Sequence, residues 1–161
     1  MKYRVLMVDD EEASFEFIQD MLSAAAEDHF ALTWEHEFDA AAAKLLSNNY
    51  DVCLLDYNLG GYTGFELMNY VQERGTRVPL VFLTGHGNRE IDMDALQAGA
   101  AEYLDKTQLK PVLLSRTIRY VVRGQRDRNQ REDLYQQVRE LEQLKTDMIR
   151  MAAHYLRTPL M

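Results

Sequence analysis

Seven side chains suited to polar chemistry each follow a short apolar run. "VLMV" leads into Asp9, Asp10, Glu11 and Glu12, "VCLL" into Asp56, "VFL" into Thr84, and "AEYLD" into Lys106. Runs of this length read as buried strands, which places the polar groups at strand ends. Two carboxylates about 4–5 Å apart repel by roughly 4 kcal/mol at an effective dielectric of about 20. A hard divalent cation with oxygen ligands relieves that repulsion, and Mg²⁺ suits a site with few direct carboxylates and several waters. The other groups suit phosphoryl transfer, with a carboxylate as nucleophile, an ammonium against phosphoryl oxygens and a hydroxyl that donates to one of them. Any one of these groups alone reads as a solvated loop tip. Their arrival together at four strand ends does not.

The segments between them must set the geometry. "YRVLMV", "ALTWEHE", "DVCLLD", "VPLVFLT" and "AEYLDK" read as five strands. "EEASFEFIQDMLSAAA", "DAAAAKLLSNN", "GFELMNYVQERG" and "REIDMDALQAGA" read as helices, the third stopped by Gly75. Strands alternating with helices predict an α/β fold: a doubly wound, five-stranded parallel sheet with its site beyond the carboxyl ends of the strands. Cys53, the single cysteine, lies in "DVCLLD" and reads as a buried core residue rather than a nucleophile.

Over residues 1–123 the chain resembles the receiver domains of two-component response regulators, a flavodoxin-like fold. The residues that carry this are "VLMVDDE", "LLDYNLGGYTGFEL", "VFLTGHG" and "AGAAEYLDK". The resemblance implies Asp56 as phosphoacceptor. It implies Mg²⁺ held by Asp9, Asp10, Asp56 and the backbone carbonyl of Asn58. Thr84 and Tyr103 match its switch pair, and Lys106 matches the lysine that meets a phosphoryl oxygen. The implied phosphodonor is a histidine kinase or phosphotransfer protein. Two positions depart from the pattern. Gly60, followed by Gly61, stands where the family has a proline, which predicts a looser loop. Thr107 stands where a proline often follows the lysine, which predicts either a trans peptide after Lys106 or a lysine held differently.

Beyond the receiver, "RGQRDRNQRED" is polar, and its only Gly is Gly124. It reads as a continued exposed helix, and 124–147 as a coiled-coil linker. Leu134, Val138, Leu141, Leu144, Met148, Met151 and Tyr155 follow at steps of 4, 3, 3, 4, 3 and 4. This is a coiled-coil seam with a phase shift near Leu141. It predicts a parallel homodimer through 134–155. Residues 148–161, with "HYLRTPL", resemble the histidine box that opens the dimerisation and phosphotransfer domain of sensor kinases. That resemblance implies His154 as a phosphorylatable histidine, at seam position g. Tyr155 stands where the family has an acidic residue, and no G-x-G phosphate loop follows. The expected whole is a hybrid histidine kinase, of which this stretch lacks the ATP-binding part. By itself the receiver would only take up and lose its own phosphoryl group. The alternative is a constitutive dimerisation module whose receiver does not switch.

Composition bounds these readings. No apolar run approaches the roughly 18–20 residues that span a bilayer. The start is too short and too soon acidic for a secretory signal, so a cytoplasmic location is expected. Residues 1–110 hold 8 Lys/Arg against 20 Asp/Glu, and residues 111–161 hold 10 against 6. The acidic part repels nucleic acid, and the basic part mixes its charges along a helix face, so no nucleic-acid partner is expected.

Overall fold

The computed structural model describes residues 1–25, 27–85 and 89–157, with the backbone alone at 89–92. In chain order the elements are β1 (Lys2–Val8), α1 (Glu12–Ala24), β2 (His29–Glu35), α2 (Phe38–Leu46), β3 (Val52–Asp56), α3 (Gly64–Glu73), β4 (Leu80–Thr84), α4 (Arg89–Gln97), β5 (Glu102–Asp105) and α5 (Pro111–Arg157). The five strands form one parallel sheet in the order β2-β1-β3-β4-β5, the doubly wound arrangement expected. β2 starts and stops two residues earlier than its alternation predicts. It pairs residue for residue with β1, from Lys2↔His29 to Val8↔Glu35, so the partner's length sets its limits.

Period-two alternation sorts the strand residues between two cores. Val5 and Met7 of β1 face Ile18 and Leu22 of α1 and Leu114 and Ile118 of α5. Leu6 and Val8 face Ala41 and Leu45 of α2 and Leu67 and Met68 of α3. The three inner strands are covered on both faces: β3 and β4 are apolar and buried almost throughout, and β1 is so from Val5 to Val8, after exposed Lys2 and Arg4. Edge strands β2 and β5 are mostly half-buried and carry more polar residues. α1 and α5 bury residues four apart, the stripe a helix lays on a sheet. No cis peptide occurs among the described residues, so the bond after Lys106 is trans.

The chain divides into two compact units, Met1–Gln125 and the residues from Arg126 onward. α5 is one helix through the polar run, as the pattern predicts. In the second unit Leu134, Val138, Leu141, Leu144, Met148, Met151 and Tyr155 are all exposed. Tyr135, Ile149 and Leu156 are exposed beside them, so the apolar stripe is wider than the predicted seam. Away from it, Gln136 donates to Glu140 (3.2 Å) and Gln143 to Asp147 (3.0 Å) along one helix face. His154 is exposed in the last turns of α5, and Pro159 and Leu160 of its string lie outside the described residues. No helix among the described residues is long and apolar enough to cross a membrane.

Candidate functional site

β1 ends at Val8, and the chain turns out of the sheet through Asp9 and Asp10. Asp9 is fully buried. Its Oδ1 accepts from the Glu11 amide (2.9 Å) and its Oδ2 from the Lys106 ammonium (3.0 Å). Asp56 closes β3. Its Oδ1 accepts from the Tyr57 amide (2.9 Å) and lies 3.4 Å from Lys106 Nζ. Asp10 completes the group, and one carboxylate oxygen from each of the three lies within 4.8 Å of the others. Glu11 and Glu12, also candidates by sequence, are exposed. Glu12 instead opens α1, where an acidic residue favours the helix N-terminus.

Lys106 is the cation that holds this group together. Burial alone would pull its ammonium down. The charges and hydrogen bonds of Asp56 and Asp9 outweigh burial and hold it above the ordinary lysine value. Asp56 carries the opposite imbalance. Burial pushes its carboxyl up to about 6, the Asp9 charge adds to that, and Lys106 only partly offsets them. One ammonium among three carboxylates leaves negative charge uncompensated. With oxygen donors and neither thiolate nor imidazole, the set fits a hard divalent cation.

Thr84 closes β4, beside β3, where Asp56 pairs with Leu83. Thr84 is 5% exposed, and its Oγ1 has no hydrogen-bond partner among the described residues. Tyr103 sits half-buried on β5, opposite Phe82, against the core under α2 and α3. Asn58 lies two residues past Asp56 and is bridged to Thr63. Gly60 takes φ +78°, which a side chain would strain, and its Cβ position lies 3.8 Å from Asp10 Oδ2. The double-glycine turn is tied at its flanks. Leu59 is buried and bonded to Tyr62 (3.0 Å), and the Tyr62 hydroxyl donates to the His36 carbonyl (2.9 Å). His86, two residues past Thr84, lies outside the described residues.

Comparison with known proteins decides the family. The family model for the response regulator receiver domain matches residues 5–118. This chain belongs to that family. Among curated relatives, the receiver is 33% identical over 122 residues to the response regulator ArlR of Staphylococcus haemolyticus, covering 75% of this chain and 53% of that one. It is 30% identical over 113 residues to the transcriptional regulatory protein DltR of Streptococcus agalactiae, covering 70% and 49%. The chain thus spans about half the length of these relatives. Among solved structures, it is similar to a CheY-like receiver domain protein from Methanospirillum hungatei, with TM-score 0.66, 22% identity and coverage of 80% and 99%. NtrX from Brucella abortus gives TM-score 0.71, 24% identity and coverage of 83% and 30%.

Two receiver residues at the site were not singled out by sequence reasoning. Ser14 on α1 accepts from Lys106 Nζ at 3.4 Å. The indole of Trp34 on β2 donates to the Asp9 carbonyl at 2.8 Å. Neither carries a motif, and each reaches the site through packing of an element remote in sequence. Cys53 is fully buried, as expected, and burial pushes its thiol far up.

Proposed function

We propose that this chain takes up a phosphoryl group on Asp56 in a two-component relay. A carboxylate oxygen of Asp56 attacks the phosphorus of a phosphohistidine on a histidine kinase or phosphotransfer protein. The phosphorus–nitrogen bond breaks, its electron pair returns to the imidazole, and an acyl phosphate forms. Asp9, Asp10, Asp56 and the Asn58 carbonyl would hold Mg²⁺, which would supply positive charge to the phosphoryl oxygens. Lys106 pairs with one of those oxygens and Thr84 donates to another, while Tyr103 turns inward behind Thr84. The observation that supports this best is the Thr84 hydroxyl, buried at the end of the strand next to that of Asp56, with no acceptor among the described residues. A donor left unpaired in the interior costs about 1–3 kcal/mol, and a phosphoryl oxygen on Asp56 would satisfy it. The test is labelling by a small acyl-phosphate donor with Mg²⁺. Asp56→Asn abolishes the label and Lys106→Ala weakens it; equal labelling of the Asn variant sinks the assignment.

For the second unit the reading is a parallel homodimer along 134–155, leading to a phosphorylatable His154 in a cytoplasmic hybrid kinase. The exposed stripe and the "HYLRTPL" string support it. Tyr155 offers a neutral hydroxyl where a carboxylate would accept the imidazole proton. With a kinase catalytic domain supplied in trans, His154 labels slowly, and Tyr155→Glu speeds it, by up to about 10²–10⁴-fold. Fast labelling that Tyr155→Glu leaves unchanged in an intact dimer refutes the histidine-box reading. A second reading, a constitutive dimerisation module whose receiver does not switch, rests on the same exposed stripe. An equal dimerisation constant with and without acyl phosphate on Asp56 selects it.

A further inference from the structure

We infer that Trp34 is a positioning residue for the cation site, acting through the peptide unit between its two acidic neighbours. The carbonyl that accepts the indole N–H belongs to the peptide plane joining Asp9 to Asp10. Fixing that plane fixes where both carboxylates leave the chain. The other backbone group of Asp9 is held by the next residue of the same strand, since the Asp9 amide donates to the Glu35 carbonyl at 3.1 Å. Asp9 and Asp10 lie past the end of β1. There, mutual repulsion would otherwise turn the two carboxylates apart. The indole is itself held in place. It stacks on Phe15 of α1 (centroids 5.7 Å apart, planes 21° apart) and lies tilted against His36 (5.7 Å, 34°). The inference rests on the metal reading of the acidic pocket and adds to it a support from edge strand β2.

The test compares the natural protein with Trp34→Phe, which keeps a stacking ring and removes the donor. Unfolding temperature is followed as Mg²⁺ is added, since a ligand of the folded state raises it. Removing a group that orients a ligating residue typically costs about 10–100-fold in metal affinity. The expected result is a Mg²⁺ midpoint raised about tenfold, with Asp56 labelling recovered to within about twofold at saturating Mg²⁺. The unfolding temperature in chelator should stay within about 5 °C of the natural protein. An unchanged midpoint overturns the inference, and so does a loss of affinity that comes with a larger fall in chelator, which marks a merely structural role. Should the variant not fold, the natural protein decides. Trp34 is its single tryptophan, so its one indole N–H resonance must shift with the same Mg²⁺ midpoint, and a resonance that stays still overturns the inference. If Mg²⁺ leaves the natural protein unaffected, the metal reading falls and this inference with it. If the natural protein responds and the variant responds equally, only this inference falls.

Discussion

Asp56 is held with a charge its surroundings only partly compensate, and this sets how the receiver responds to pH. Its carboxyl is raised from 3.8 to about 6, burial being the largest cause. The folded state therefore binds this proton more tightly than the unfolded state. The resulting stabilisation is fully present below about pH 4 and lost as pH rises through about 6. Asp56→Asn cannot ionise and avoids that loss. In chelator at pH 7 it should be more stable than the natural protein by on the order of 1–2 kcal/mol, a margin that closes toward pH 4. Denaturant titrations at both pH values check this; a margin independent of pH contradicts it. Thr84 makes a parallel case. Thr84→Val replaces an unpaired buried hydroxyl with an apolar group of the same shape, so stability in chelator should rise by about 1 kcal/mol. Phosphorylation of Asp56 should slow in the same variant. Better stability with undiminished labelling would remove Thr84 from the reaction.

At the scale of elements, the start of α3 shows how closely the site is built into the fold. Thr63 and Glu66 form a capping box there, and Gly64 follows the cap. A Cβ on Gly64 would stand 2.6 Å from the Asp56 carbonyl oxygen and 2.7 Å from Phe82 Cε1. Backbone on one side and a buried ring on the other leave little room to yield. Gly64→Ala should therefore cost about 1–3 kcal/mol, as overpacking does, and slow labelling by displacing β3's end. Thr63→Ala, which removes only the cap, should cost about 1 kcal/mol with labelling kept. Equal effects of the two variants on labelling would show that Gly64 does not act through Asp56. In α5 the stripe carries the corresponding test. Met148→Lys puts a charge into the middle of the seam and should abolish dimerisation, whereas Arg139→Lys, off the stripe, should not.

For the whole molecule, the two units differ in charge: residues 1–125 hold 11 Lys/Arg against 20 Asp/Glu, and residues 126–161 hold 7 against 6. The receiver has its own core on both faces of the sheet, so truncation after Arg123 should leave a monomer that labels on Asp56 at the natural rate. The full chain should be a dimer at tens of micromolar by light scattering. A monomeric full chain refutes the seam, and a dimeric truncation moves the interface to the receiver.

Much of this molecule was legible in the order of its residues. Burial of strands on both faces demands unbroken apolar runs, and turns out of a sheet demand polar residues, so "VLMVDD", "VCLLD", "VFLT" and "EYLDK" marked both the sheet and its site. The long helix was legible because no proline interrupts it and Gly124 is its single glycine. Partners that depend on packing were not. Nothing in "ALTWE" announces an indole on the Asp9 carbonyl, and nothing in "EASFE" announces that Ser14 meets Lys106, 92 residues away. The limits of β2 came from its pairing with β1, not from its own alternation. The imbalance at Asp56 likewise arose only when folding brought Asp9, Lys106 and a dry surround together. Periodicity and residue type are local and can be read along the chain; desolvation and hydrogen-bond pairing between distant residues exist only once the tertiary structure has formed.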